Sequence, residues 1–461
     1  MHSFIFQPVD EVLQKWKTEY GDIMTVWLGT VPAVSVNTAQ LILDTFVKNS
    51  DAYAGRPIME WNEIVRGGSF GIINSQGQLW RENRRFALQT LRNFGLGRNL
   101  MQERVLDDVI GLIEHLKMEI ETQKNEFNLS DEIDLAVGSI INSVMFGYRF
   151  SRNNRAEFDK VKKIAVDAVS FKVWPTYRMM EGSIGVYRKL PIFKATYETI
   201  VAHAKEAKTF FNGQIEKHLK EINSSKSTDE CSDFVEAFLR HKHKLDENEE
   251  KHNFNDDQLF ATILDIWIAG QGTTSTTLSW LFLYIIQNAD VQSKAQNELD
   301  SVIGSDRIIT LNDKANLHYI NAIVAETQRC CNLVALNVPH TTTRDVTIHG
   351  YTIPAGMTIM NQISTVLHDE HCFPDPKEFK PERFINCEGK LFQPMELMPF
   401  SVGKRACLGE GLARVELFLF AANLLNQFKF EEHMGKPVSG KRFVRGITSP
   451  EDWICKITLR E

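Results

Sequence analysis

Cys407 lies in the stretch PFSVGKRACLGEGLARVE, residues 399–416, two residues after Arg405 and between Gly403 and Gly409. A cysteine binds metal as its thiolate, and apolar burial opposes ionisation. Two features here favour it. The residues behind it, LGEGLARVELFLFAANLL, carry a helical pattern, and a helix N-terminus offers unpaired N–H groups and a positive dipole end. Gly403 and Gly409 would let the backbone approach a flat partner and take positive φ, and Arg405 could reach an anionic group beside a metal. The residue alone is equally compatible with a structural cysteine in a turn. A protease nucleophile is a further option, although no His or Asn stands in a recognisable protease context.

Other residues with chemical potential stand at helical spacing. Glu326 and Arg329 in ETQR share a face, with Arg383 downstream in PERF. Trp80 and Arg84 in WRENRR are one turn apart, and an indole N–H beside a guanidinium fork suits a carboxylate. Residues 257–286 predict one long helix, roughly 45 Å in length. Its middle, AGQGTT, is poorly made for a strut: a glycine costs about 1 kcal/mol against Ala in a helix, and threonine is β-branched. Close packing against a second helix would account for Gly270 and Gly272.

The complete spacing F-x-x-G-x-R-x-C-x-G, carried by Phe400, Gly403, Arg405, Cys407 and Gly409, resembles that of the cytochrome P450 family, the haem-thiolate monooxygenases. The order E-x-x-R, P-E-R-F, cysteine loop is similar to that family's, and the resemblance runs from YGDIMTVWLG to GITSP. It implies a mainly α fold with small β-sheets and a long central helix over a buried haem b. It implies Cys407 as the iron ligand, whose electron donation favours O–O cleavage, and Phe400 as part of the haem-binding loop. Arg56, Trp80, Arg84, His340 and Arg405 would hold the propionates, and Glu326, Arg329 and Arg383 would form a buried ion network. AGQGTT is similar to the family's A/G-G-x-D/E-T-T, which implies a local opening above the haem with Thr273 as the catalytic alcohol. It departs at Gly272, where the family carries the acid of a proton relay; Gln271 or water would have to substitute.

The same resemblance implies dioxygen and NADPH as co-substrates, with NADPH–cytochrome P450 reductase as electron donor and cytochrome b5 as a second partner. Arg81, Arg85, Arg92, Arg98 and Lys404 are the basic contacts expected for a reductase. Ile72, Ile73, Ile268, Ala269, Val334, Leu336 and Ile447 would line the pocket, and their composition predicts a lipophilic substrate, of the xenobiotic, fatty-acid or steroid kind. The likeness is to microsomal animal members, which implies the cytosolic face of the endoplasmic reticulum membrane. The anchor and proline-rich hinge with which such members begin are missing from this sequence. Peripheral contact would fall to Val173, Trp174, Leu190, Pro191, Ile192 and Phe193. Gly272 motivates two other expectations: a haem-thiolate isomerase or peroxide-driven enzyme, and a haem-binding sensor without turnover.

The elements that must position these groups are mostly helical. The chain has 461 residues, 43% hydrophobic and 24% charged, enough for a large core. Length alone suggests about three domains. Strand candidates at 22–37, 347–364 and 442–459 could share one sheet, which would make residues 1–461 one domain. The charged stretches 223–230 and 241–257 predict exposed loops. A net charge of −7 argues against a nucleic-acid partner. Seven cysteines, Cys330 and Cys331 adjacent and the others scattered, predict no disulfide framework and fit a reducing compartment. No run of 18 apolar residues is present.

Overall fold

The structure, a computed structural model, describes residues 8–28, 31–94, 99–124, 126–170, 174–224, 231–444 and 446–460. Seven of its helices bear on the site: α1 (Val9–Tyr20), α2 (Gly77–Asn93), α3 (Asn99–Glu121), α4 (Leu129–Phe146), α5 (Asp256–Gln287), α6 (His318–Cys331) and α7 (Glu410–Gln427). Helix α5 is the long helix predicted over 257–286. Its N-terminus is fixed by Asn255, whose side chain accepts a hydrogen bond from the Gln258 N–H, and Asp256 and Asp257 complement the dipole. It packs along α4 and against α6 and α7. Trp267, Phe282 and Phe418 are fully enclosed there, and each such side chain contributes about 1.5–3 kcal/mol by leaving water.

The strands are short: β1 (Ile23–Leu28), β2 (Val31–Val36), β3 (Glu126–Phe127), β4 (His340–Thr341), β5 (Val346–Ile348), β6 (Tyr351–Ile353), β7 (Thr358–Asn361), β8 (Phe428–Glu432), β9 (Arg442–Val444), β10 (Thr448–Pro450) and β11 (Cys455–Leu459). β1 and β2 form the antiparallel hairpin expected at 22–37, with Ile23 opposite Val36; the turn expected at Gly29 and Thr30 lies outside the described residues. β2 then runs parallel to β7, and β4 adds to β7, giving the order β1-β2-β7-β4. Residues 347–364 therefore split between the β5–β6 hairpin and this sheet.

Two expectations are corrected. The tail does not join the N-terminal strands in one sheet: β9 and β10 pair with each other, while β11 pairs with β3 and β8. Alternating apolar residues fix which face of a strand is buried but carry no information about its partner. Residues 241–247 are helical, the end of Phe234–Glu247, because Phe238 is buried and draws the charged turns behind it into the same helix. Residues 248–255 alone form the loop.

Candidate active site

The chain from Met398 to Glu410 is a compact turn closed by the Cys407 N–H donating to the Phe400 carbonyl at 2.9 Å. Gly403 has φ +77°, and a Cβ there would collide with the Phe46 carbonyl oxygen, so this glycine fits the loop onto the segment Leu43–Val47. One expectation for Gly409 is corrected: its φ is −89°, not positive, while no atom lies within 4 Å of an added Cβ. It supplies an N–H to the Cys407 sulfur, as does Glu410 at the start of α7. Burial pushes the Cys407 thiol up; the Gly409 N–H opposes this, the Glu410 carboxylate adds to it, and Arg84 and the Glu410 N–H favour the thiolate. The thiol is nonetheless accessible. Accessibility together with strong desolvation is what a side chain facing enclosed space shows.

Helix α5 also exposes residues between buried stretches. Residues 259–265 and 277–283 are buried, yet between them Ala269 is exposed and Gly270, Gly272 and Thr273 are half-buried. The two glycines do different things. A Cβ on Gly270 would come within 2.6 Å of Ile141 Cδ1 on α4, so this residue permits close packing. A Cβ on Gly272 would meet only Ile447 Cδ1, at 3.9 Å, so this residue opens on space. Thr273 Oγ1 donates to the Ala269 carbonyl at 2.5 Å, which leaves its lone pairs as acceptors. Gln271 is turned away from that opening and donates to Asp134 at 3.1 Å.

Three guanidinium groups converge beside these elements. Arg405 donates to the carbonyls of Ala54 (2.9 Å), Ile72 (3.3 Å) and Ser75 (2.8 Å) and lies 3.8 Å above the Trp80 ring. Arg56 donates to Ile73 (3.0 Å), Val338 (3.2 Å) and Pro339 (2.8 Å). Arg84 donates to the Ala406 carbonyl at 2.6 Å, one turn after Trp80 on α2. None of the three pairs with a carboxylate among the described residues. Burial, then Arg56 and Arg84, hold Arg405 down at about 8; burial, then Arg84, hold Arg56 at about 10. His340 Nδ1–H donates to the Tyr53 carbonyl at 2.7 Å, which makes Nδ1 the protonated nitrogen; burial, Arg56 and Arg405 keep the ring neutral. Trp80 Nε1 is buried without a partner.

Such a cluster is incomplete as it stands. Buried like charges and an orphaned indole N–H each carry a cost, and one dianion would relieve both. The two propionates of a haem have that charge, and the Cys407 sulfur, held by two N–H groups, has the donor chemistry for its iron. The residues therefore fit the group.

Other predicted residues distribute as follows. Glu326 and Arg329 on α6 are both 0% exposed and doubly bonded, at 2.7 and 2.8 Å. Arg383 Nε adds 2.9 Å to the same carboxylate, and the remaining arginine N–H groups bind the carbonyls of Leu367, Pro374, Asp375 and Pro376. Of the expected pocket residues, Ile447 borders the opening at Gly272 and Ile72 and Ile73 are pinned to α5. Val334 is exposed, and Leu336 packs against the cluster of Val9, Leu13 and Met24. The Phe400 ring takes the Arg414 guanidinium, 4.9 Å away. Arg98 and Val173 lie outside the described residues.

Two acids were missed from sequence. Asp265 on α5 is buried; its Oδ2 accepts the N–H groups of Ile72 (2.7 Å) and Ile73 (2.8 Å), and Arg66 sits 2.6 Å from Oδ1. Glu416 on α7 is 1% exposed. The available signal was a lone acid inside each apolar run, TILDIWI and ARVELFLF.

A family model described as Cytochrome P450 matches residues 3–452. Among similar curated proteins, Cytochrome P450 2C20 of Macaca fascicularis is 32% identical over 448 residues, 95% of this chain and 88% of the relative. Cytochrome P450 2J2 of Homo sapiens is 33% identical over 436 residues, 95% and 84% of the two chains. Cytochrome P450 2B4 of Oryctolagus cuniculus is 33% identical over 416 residues, 89% and 81%. The chain belongs to the cytochrome P450 family and has its fold. It is an oxidoreductase, a monooxygenase that binds haem b and uses dioxygen and NADPH-derived electrons delivered by redox partners. The isomerase, peroxide-driven and sensor alternatives are not favoured.

Proposed function

We propose that residues 1–461 act as one P450 domain that inserts one oxygen atom into a lipophilic substrate of the xenobiotic, fatty-acid or steroid kind, with Cys407 as the iron ligand. The observation that carries this is the accessible but desolvated thiol at the N-terminus of α7, beside three guanidinium groups with no carboxylate partner. Haem b, when bound, supplies the activation of dioxygen. Gly409 and Glu410 N–H groups stabilise the anionic sulfur. Arg56, Arg84, Arg405 and Trp80 Nε1 bind the propionates, whose charge offsets the arginines' mutual repulsion. His340, with Nδ1–H committed to Tyr53, offers Nε2 and gains a proton there when an anion is adjacent. Thr273 holds a proton donor at Oγ1, because its own hydroxyl hydrogen is given to Ala269. Asp265 fixes Ile72 and Ile73 as apolar wall, and Ile447 closes the far side. Glu326, Arg329 and Arg383 keep the loop's supporting layer in place.

A reductase, with cytochrome b5 as alternative donor, docks on Arg81, Arg85, Arg92 and Lys404, all exposed; Lys404 also pairs with Asp51. Contact with the endoplasmic reticulum membrane runs through Val186, Leu190 and Ile192, which are 68%, 47% and 74% exposed. Trp174 and Phe193, expected to join them, pack instead against the cluster of Trp61 and Tyr177. No helix among the described residues is long and apolar enough to cross a membrane. The decisive test is the ferrous–carbon monoxide spectrum of the protein and of Cys407→Ser: a thiolate-type band in the first, lost in the second, is expected. Equal spectra would overturn the ligand assignment.

A further inference from the structure

Helix α4 ends at Phe146 and the chain turns on Gly147, φ +74°, where a Cβ would come within 3.0 Å of Asp233 Oδ2. The glycine lets the chain pass close to the start of the helix Phe234–Glu247. This turn, that helix, and the helices Arg155–Ser170 and Pro191–Ser224 enclose a cavity of about 510 Å³. That volume lies within the range of small-molecule sites. None of the residues that line it belongs to the cysteine loop, the arginine cluster, the opening at Gly272 or the Glu326 network.

The hydrogens of the cavity wall are already committed. Tyr148 donates to Glu157 Oε1 at 2.8 Å, and Gln214 Nε2 donates to the same oxygen at 3.2 Å. Burial, then the Glu157 bond, push the Tyr148 phenol up, so it keeps that hydrogen. His218 Nε2 donates to Asp233 Oδ2 at 2.7 Å, and Ser232 Oγ lies 2.7 Å from the same oxygen and 2.8 Å from Glu236 Oε2. What remains are acceptors. Glu157 Oε2 takes no hydrogen bond, and no cation pairs with this carboxylate, among the described residues. Gln214 is 8% exposed, and its Oε1 accepts nothing among the described residues and opens on the cavity it lines. Burial opposes ionisation of Glu236, but Ser232 and Arg240 outweigh it and hold the carboxyl below its usual range. Lys217 is the ammonium on the wall and is exposed, so its head sits in water. Phe146 and Tyr148 add aromatic surface, on which a cation is attracted to the ring face.

We propose that this cavity is a second binding site, for a small organic cation that carries N–H donors: a protonated amine or a guanidinium on an apolar body. Glu157 Oε2 and Gln214 Oε1 are its acceptors, and its charge is the one that Glu157 lacks. The apolar body covers the Phe146 and Tyr148 rings. A carboxylate or phosphate ligand would bring acceptors to a wall of acceptors and negative charge to Glu157, Asp233 and Glu236, so the site selects against both. The site is separate from the monooxygenase centre and does not rest on its assignment.

The test uses the full chain with haem and benzylguanidine as the probe, because a guanidinium stays protonated and has no lone pair to offer iron. Equilibrium dialysis should show saturable binding with Kd below about 1 mM. Glu157→Gln keeps an acceptor for Tyr148 and removes the charge; it should weaken binding about 10-fold or more. Gln214→Leu should weaken it several-fold. Lys217→Glu, at an exposed position, should tighten it. Neutral benzyl alcohol should not displace the probe, and the visible spectrum of the haem should stay unchanged throughout. No saturable binding, equal affinity in Glu157→Gln, or no gain in Lys217→Glu would each overturn the site. A haem spectrum that shifts in step with binding would place the probe in the substrate pocket instead and overturn it as well. If Glu157→Gln does not fold, Lys217→Glu decides the result. The ferrous–carbon monoxide spectrum, read separately, keeps this outcome distinct from failure of the monooxygenase assignment.

Discussion

Trp80 illustrates how a single residue can be read at two levels. Its spacing from Arg84 suggested carboxylate recognition, and the structure adds that its Nε1 is buried and unpaired while Arg405 covers its ring. Trp80→Phe keeps the ring and removes only the donor. A hydrogen bond to a charged group is worth about 1.5–3 kcal/mol, so haem affinity should fall roughly 10- to 100-fold, measured by transfer of haem to an acceptor protein. Cys407 could be singled out from the sequence because its motif is local. Asp265 and Glu416 were not, since nothing in a lone acid's sequence context says whether it faces solvent or a packed interior.

Helix α5 carries the contrast between its two glycines. At Gly270 there is no room, and Gly270→Val drives a branched side chain into Ile141. Overpacking of this kind costs about 1–3 kcal/mol, seen as a lower unfolding midpoint in urea. At Gly272 there is room, and Gly272→Ala gains up to about 1 kcal/mol of helix propensity, visible as a higher midpoint. Gly272→Glu should raise product formed per NADPH consumed by giving the opening an acid of its own; no gain in coupling would show that protons already arrive fast enough. The sequence posed packing and opening as alternatives for the pair. The structure assigns one to each residue, because they point about 200° apart around the helix.

The whole molecule is tied together by ion networks that join distant segments. Glu326, Arg329 and Arg383 connect α6 to the chain before the cysteine loop at 0% exposure for the first two. Arg383→Ala leaves the Glu326 carboxylate short of a partner and should cost about 3–5 kcal/mol, measured by chemical denaturation. A second network clasps α1 to the tail: Arg442 on β9 lies 2.7 Å from Asp10, and His368 faces the same carboxylate. Burial opposes ionisation of Asp10, but Arg442 and His368 outweigh it and its carboxyl titrates below the usual range. Burial, against Asp10 and with Arg442, holds His368 down at about 4. A group depressed on folding contributes stability that is full above its unfolded value and lost as pH falls through the folded one. Stability should therefore decline below about pH 6.5, toward pH 4, by about 1.4 kcal/mol per unit for this histidine. His368→Asn should flatten thermal unfolding midpoints in that window.

The sequence by itself determined the class of chemistry and the long helix, and singled out Cys407 as the proposed iron ligand, because each rests on local spacing: a loop motif, a cap and an apolar period. Only the tertiary structure decided which strands pair, that Asp265 holds Ile72 and Ile73, and which of the two glycines packs against α4. The Asp265 contacts join residues as far apart as 72 and 265. Their energies depend on burial and mutual charge, which exist only once the helices have packed.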